Sequence, residues 1–109
     1  MLFRSDTATF SSSDSYSTTS YSSAVIFNDD GTKMYVPSSN SGYVRQYSLS
    51  TAFDVSSGSY QDVYQSSVSV QSMSFNNDGT KLFLLTSSQI REYSVSTGFD
   101  IGSTVNLTA

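Results

Sequence analysis

Two stretches of this chain carry enough oxygen to suggest chemistry: Asn28-Asp29-Asp30-Gly31 and Asn76-Asn77-Asp78-Gly79. Calcium is the first reading. An EF-hand loop needs more acidic oxygens at fixed spacing and a closing glutamate, and neither stretch supplies them. The second reading is a hairpin turn, because Asp-Gly reaches positive φ at little steric cost. The turn accounts for both stretches and is the reading adopted. Elsewhere the inventory is narrow. With no cysteine and no histidine, disulfides, Cys/His zinc sites and histidine acid–base catalysis are excluded. Serines are abundant, but none stands in a recognised nucleophile motif. Carboxylates could pair only between copies of the chain. No catalytic residue, metal or cofactor is therefore expected, and the chain reads as a non-enzyme.

The two acidic stretches belong to a longer repeat. Phe27 to Val36 returns as Phe75 to Leu84, a shift of 48 positions (27 to 75). Tyr47-Ser48-Leu49-Ser50-Thr51-Ala52-Phe53-Asp54-Val55 returns as Tyr93 to Ile101, a shift of 46 (47 to 93). Two residues are thus missing from the second copy between these blocks. A period in this range marks solenoids or propellers.

The repeat sorts the remaining polar groups. Arg45 and Arg91 occupy the same repeat position. They could face a ligand or pair with Glu92, Asp54 or Asp100, and the structural role is preferred because a charge recurring at a fixed repeat position serves the repeat. Asp54 and Asp100 follow Phe53 and Phe99, which reads as a capped turn with a buried phenylalanine. Tyr35 and Tyr47 align with Phe83 and Tyr93 and read as packing. Tyr43 aligns with Gln89, beside the loop that differs between copies. Tyrosine offers a flat apolar face with a polar handle, suited to stacking on sugars. Tyr43, Arg45 and Arg91 are thus candidate ligand-binding residues.

The elements that must position these groups are strands. Residues 24–27 form an apolar run suited to a strand buried on both faces. Lys33 to Val36 returns after the turn, with Pro37 limiting its pairing. Residues 43–50 make a third strand, with Tyr43, Arg45, Tyr47 and Leu49 on one side and Val44, Gln46 and Ser48 on the other. Residues 59–66 make a fourth. The second copy repeats this at 71–75, 81–85 and 90–95, and Val105 with Leu107 suggests a short last strand. The alignment of Asp14 and Tyr16 with Asp62 and Tyr64 assigns 1–23 as an N-terminal strand segment, followed by units at 24–67 and 68–109. No helical periodicity occurs. Ser and Thr make up roughly a third of the chain, far above ordinary usage, but the aromatic and β-branched content argues for strand surfaces rather than disorder.

Four strands in under 50 residues is the size of a propeller blade. Phe-x-x-Asp-Gly-Thr-Lys followed by apolar–aromatic–apolar residues resembles the strand–turn–strand motif of lactonase-like and TolB-like propellers. The block from Tyr47 is similar to repeats in uncharacterised phage and environmental bacterial proteins. The resemblance covers about residues 20–103. It lacks the Gly-His and Trp-Asp dipeptides of WD repeats. It implies an all-β fold of two four-stranded β-propeller blades per chain. In propellers, the second-to-third-strand loops share one end of the ring, which commonly binds ligands, with the lead-in to the innermost strand, so the resemblance gathers Tyr21, Asn40, Tyr43 and Gln89 there as candidate ligand-binding residues.

Two blades cannot close a ring, and repeat units gain stability only by stacking. Alone, the chain would expose two outer faces, with apolar groups such as Leu82, Leu84 and Phe83. Closure by homo-oligomerisation is expected, with a six-bladed trimer favoured over a four-bladed dimer or an eight-bladed tetramer. The segment 1–23 could then complete a neighbouring subunit's blade, in competition with the C-terminal strand. The expected function is multivalent, lectin-like carbohydrate recognition. A structural part of a virion or cell surface is the alternative, and a lactonase-like enzyme is disfavoured for want of histidine. The net charge of −4 and five scattered basic residues argue against nucleic acid as a partner. No signal-peptide pattern or membrane-length apolar run is present, and a virion-associated or extracellular location fits equally. Mass measurement in solution is expected to return a multiple of the 11.8 kDa chain mass, three for the favoured ring; a monomer at all concentrations would remove the closure argument.

Overall fold

The structure is a computed structural model and describes residues 15–17, 21–40 and 42–105. It is all-β, with two antiparallel four-stranded sheets in sequence order. Sheet one comprises β1 (Ile26–Phe27), β2 (Lys33–Pro37), β3 (Tyr43–Leu49) and β4 (Gly58–Gln65). Sheet two comprises β5 (Ser72–Phe75), β6 (Lys81–Leu85), β7 (Ile90–Val95) and β8 (Thr104–Val105). The registers repeat as the sequence does: Met34 faces Tyr47 in one sheet and Leu82 faces Tyr93 in the other. Two short 3-10 turns, Val55–Ser57 and Ile101–Ser103, precede the fourth strands. Of the two terminal segments, residues 15–17, 21–23 and Thr104–Val105 lie within the described residues; residues 1–14, 18–20 and Leu107 lie outside them.

Each first hairpin is closed by the acidic stretch that opens the repeat. Asn28 Oδ1 accepts from the Lys33 amide at 2.9 Å, and Asn76 Oδ1 from the Lys81 amide at 3.0 Å. Asp30 Oδ1 accepts from the amide and hydroxyl of Thr32, and Asp78 does the same with Thr80. Gly31 and Gly79 sit at φ 74° and 72°. A phenylalanine from the loop before the fourth strand then locks each turn. Phe53 and Phe99 themselves adopt left-handed backbone, at φ 60° and 64°. Their amides donate to the carbonyls of Gly31 and Gly79 at 2.8 and 3.0 Å. Their rings lie so close that a Cβ at Gly31 would fall 2.3 Å from Phe53, and one at Gly79 2.5 Å from Phe99. Only glycine fits under the ring and also holds that φ. Asp54 caps the following 3-10 turn through the Ser56 amide and hydroxyl, and Asp100 accepts from the Gly102 amide. The capped turns were expected; the burial of both phenylalanines was not met, since Phe53 is 59% exposed. Phe99 is half-buried because Tyr35 and Phe75 of its surroundings reach it.

The main core lies between the sheets. Strand alternation sends Tyr35 and Val44 of sheet one toward Leu82, Leu84, Tyr93, Val95 and Ile101 of sheet two, all buried in one cluster. Leu82 and Leu84 thus point inward with 0% exposure, against the expectation that they face outward. The outward residues of β6 are Phe83 and Leu85. The run at 24–27 is also less buried than expected: only Ile26–Phe27 is strand, and Val25 is 51% exposed. β1 pairs with β2 alone, and just one of its faces meets sheet two.

Two polar contacts register the sheets. The Tyr35 hydroxyl donates to the Phe99 carbonyl. Gln46, 1% exposed, accepts from the Ile101 amide at 2.9 Å and donates to Gln61 Oε1 at 2.6 Å. The β3–β4 register shifts beside Gln46, between Gln46 and Tyr47, as at a β-bulge. Gln46→Leu is expected to leave the Ile101 amide buried without an acceptor and to cost about 1–3 kcal/mol. The measurement is a lower urea midpoint at unchanged slope; an unchanged midpoint would show that the contact contributes nothing to the fold.

Candidate functional site

Three of the six candidate residues come together at one end of sheet one. Ser22 bridges to Ser38, which draws the lead-in segment beside the loop between β2 and β3. The Tyr21 carbonyl accepts from the Ser39 amide at 2.8 Å, and Ser39 Oγ donates to it as well. The Tyr21 side chain is 73% exposed. Asn40 Oδ1 accepts from Ser38 Oγ at 3.0 Å, and the Tyr43 carbonyl accepts from the Ser38 amide at 2.8 Å. Buried Ser38 therefore organises the loop by bonding to both flanks. The inter-sheet connection passes alongside: the Ser66 amide and hydroxyl donate to the Gly42 carbonyl, and Val70 N–H donates to Ser38 O. This gives Tyr21, Asn40 and Tyr43 a rigid backbone base and an aromatic–amide surface.

The arginines follow their neighbours two positions upstream. The Arg45 guanidinium lies 5.0 Å over the Tyr43 ring, a cation–π distance. In sheet two the equivalent Arg91 Nε donates to Gln89 Oε1 at 3.0 Å. Both arginines thus have local partners, as the structural reading anticipates, but not the acidic ones expected for Arg91. Glu92 instead meets Lys81 at 3.4 Å. Gln89 and Arg91 make a second pair in the corresponding place on sheet two.

The titratable groups are engaged in structure. Asp30 and Asp78 are held below the usual carboxylate range by the hydroxyls and amides of Thr32 and Thr80. Among the described residues no cluster of three or more His, Cys, Asp or Glu could hold a metal, and no helix is long and apolar enough to cross a membrane.

A further feature had no signal in any single motif. The face of sheet one turned away from sheet two carries a groove of about 430 Å³, lined by Tyr16, Ala24, Val25, Met34, Val36 and Val55 among others. Beneath it lies a second apolar cluster of Met34, Val36, Tyr47 and Leu49, with Tyr16, Phe27 and Val55 packed against it. The repeat register could have revealed it. The equivalents Leu82, Leu84, Tyr93, Val95, Phe75 and Ile101 are the residues that sheet one covers in the main core, with Tyr64 of β4, the equivalent of Tyr16, packed against them from the covering side. Comparison of the chain with family models, curated proteins and solved structures gave no match.

Three tyrosines of the apolar clusters give the fold a measurable pH response. Burial, reinforced by the Asp100 and Asp30 charges, pushes the Tyr35 phenol far above its ordinary value. Tyr47 and Tyr64 are raised too, chiefly by burial. A raised folded-state value means that the unfolded chain loses these protons first. Their contribution is complete below about pH 10, the unfolded value, and declines as pH climbs through the folded values. Tyr35→Phe is expected to flatten that alkaline decline and to cost about 1 kcal/mol at neutral pH for the lost bond to Phe99 O. Urea titrations between neutral and alkaline pH check both effects; parallel curves for the two proteins would refute the assignment.

Proposed function

We propose that the chain is a two-blade propeller unit which assembles with copies of itself, three for a six-bladed ring, and presents its loop end to carbohydrate. The observation carrying the carbohydrate reading is the exposed side chain of Tyr21, whose backbone carbonyl is bonded to the Ser38–Asn40 loop that leads to Tyr43. A flat aromatic face next to amide and hydroxyl groups on a fixed backbone is suited to a sugar, whose C–H face stacks while its hydroxyls exchange hydrogen bonds. Arg45 steadies the Tyr43 ring, and the Gln89–Arg91 pair offers a comparable polar patch on the second sheet. Such sites are shallow and individually weak. Several on one assembly raise the overall affinity by effective concentration. Asn40, Tyr43 and Gln89 stand where the two copies differ, whereas Arg45 and Arg91 recur at one repeat position on β3 and β7.

A purely structural role in a larger assembly is the second reading. It is favoured by the two sheet faces on which no second sheet packs among the described residues, one carrying Ile90 and Phe83, the other the groove on sheet one.

The assembled protein is expected to bind members of a glycan array. Tyr21→Ala and Tyr43→Ala are expected to weaken that binding by about tenfold each, since aromatic contact areas of this kind carry on the order of 1 kcal/mol or more. Tyr21→Ala leaves the fold intact because the ring lies outside the core. Absence of binding to any glycan, or full binding by both variants, would reject the carbohydrate reading in favour of the structural one.

A further inference from the structure

We propose that the groove on sheet one is the seat for a second copy of this chain, whose sheet two lays its outer face there. This specifies the interface of the assembly described above and rests on that part of the reading. The template is the contact the chain makes with itself. Sheet one covers sheet two through Tyr35, Val44 and Gln46. Their repeat equivalents on the outer face of sheet two are Phe83, Ile90 and Glu92, at the same ladder positions: Tyr35 faces Gln46 and Phe83 faces Glu92. Val44 is 0% exposed, whereas Ile90 is 75% exposed. On the receiving side, Met73 is 3% exposed, whereas its equivalent Val25 is 51% exposed. Ile90 on sheet two and Val25 on sheet one are therefore left exposed at complementary positions of the same contact.

The polar contact transfers as well. Within the chain, Gln46 accepts from the Ile101 amide at 2.9 Å. The equivalents are Glu92 and the Val55 amide of the second copy. Among the described residues the Val55 N–H donates no hydrogen bond, although its neighbours Ser56 and Ser57 do so through Asp54. Glu92 brings a carboxylate, a stronger acceptor than an amide, and Lys81 engages its Oε2 from the same sheet. One bond does not transfer: Phe83 lacks the hydroxyl with which Tyr35 reaches Phe99 O.

Tyr16 supplies an independent sign. It packs edge-on against Tyr47 with centroids 4.9 Å apart, as Tyr64 of β4 packs against Tyr93 at 5.7 Å. Residues 15–17 thus lie where the fourth strand of a covering sheet lies. In the assembly they extend that strand beyond Thr104–Val105 of the second copy, so the two terminal segments share one strand position end to end. Because the two halves differ, the contact is heterologous and runs head to tail, as ring closure requires.

The experiment compares oligomeric mass by light scattering and native mass spectrometry, with circular dichroism to verify folding. Ile90→Asp and Val25→Asp, each on a side chain exposed in the single chain, are expected to be monomeric alone. Mixed in equal amounts, they form a species of twice the chain mass, since each retains one intact half. Val55→Pro tests the amide. Proline suits the first position of the 3-10 turn, and Asp54 before it is already extended at ψ 101°. It and Glu92→Ala are expected to weaken assembly by about tenfold, and Glu92→Gln to preserve it. An assembled wild type unaffected by either aspartate would overturn this interface while leaving assembly standing. Self-association of Val25→Asp would overturn it too, by showing outer faces of sheet two meeting each other. A wild type monomeric throughout would overturn assembly itself. Glycan binding is scored separately on the assembled wild type, so that failure of the carbohydrate reading and failure of this interface are distinguished.

Discussion

The fold depends on covering one face of each sheet, and the buried Gln46 shows how strictly that is met. An amide side chain enters the apolar space between the sheets and leaves none of its known bonding atoms idle. Its oxygen accepts from the Ile101 amide and its nitrogen donates to Gln61. A buried polar group without partners would oppose folding, so these bonds allow only one alignment of the two sheets. The apolar contacts of Tyr35 and Val44 with Leu82, Leu84 and Ile101 supply the drive for association but are indifferent to small slides. Drive and alignment thus come from different residues on the same strands.

Within each sheet the corresponding constraint is the glycine turn under a left-handed phenylalanine. It ties the first hairpin to the loop before the fourth strand, about twenty residues later in the chain. Asp30 and Asp78 are consumed in this, each bonded to the threonine two residues on. The contrast between Phe99 and Phe53 is instructive. Both hold the same backbone conformation and the same hydrogen bond. One is half-covered by Tyr35 of the neighbouring sheet, and the other lacks that cover. The local lock is complete in both sheets, and only the tertiary neighbour differs.

The same distinction governs the candidate site. Tyr43 and Arg45 share a strand side, as alternation requires, and their contact could be inferred from spacing. Acidic partners for the arginines were also compatible with the spacing, but each arginine reaches the side chain two residues away on its own strand side, Tyr43 for Arg45 and Gln89 for Arg91. Glu92 could not have been assigned to Lys81 without the β6–β7 register. Tyr21 lies eighteen residues from Ser39, and only the Ser22–Ser38 bridge brings it to the loop.

By itself the sequence determined the strands, the turns and the duplication, because these follow from period-two alternation, from glycine's access to positive φ and from pairing between chain neighbours. It also determined which residues share a strand side. It did not determine which side is covered. Met34 and Val36 on one side of β2 and Tyr35 on the other are all apolar enough to be core, and Leu82, Leu84 and Phe83 repeat the ambiguity. The tertiary structure decided that choice: the twist and offset of two successive sheets bring the Tyr35 side of the first onto the Leu82 side of the second. That choice leaves Ile90 in water and the groove beside Val25 open.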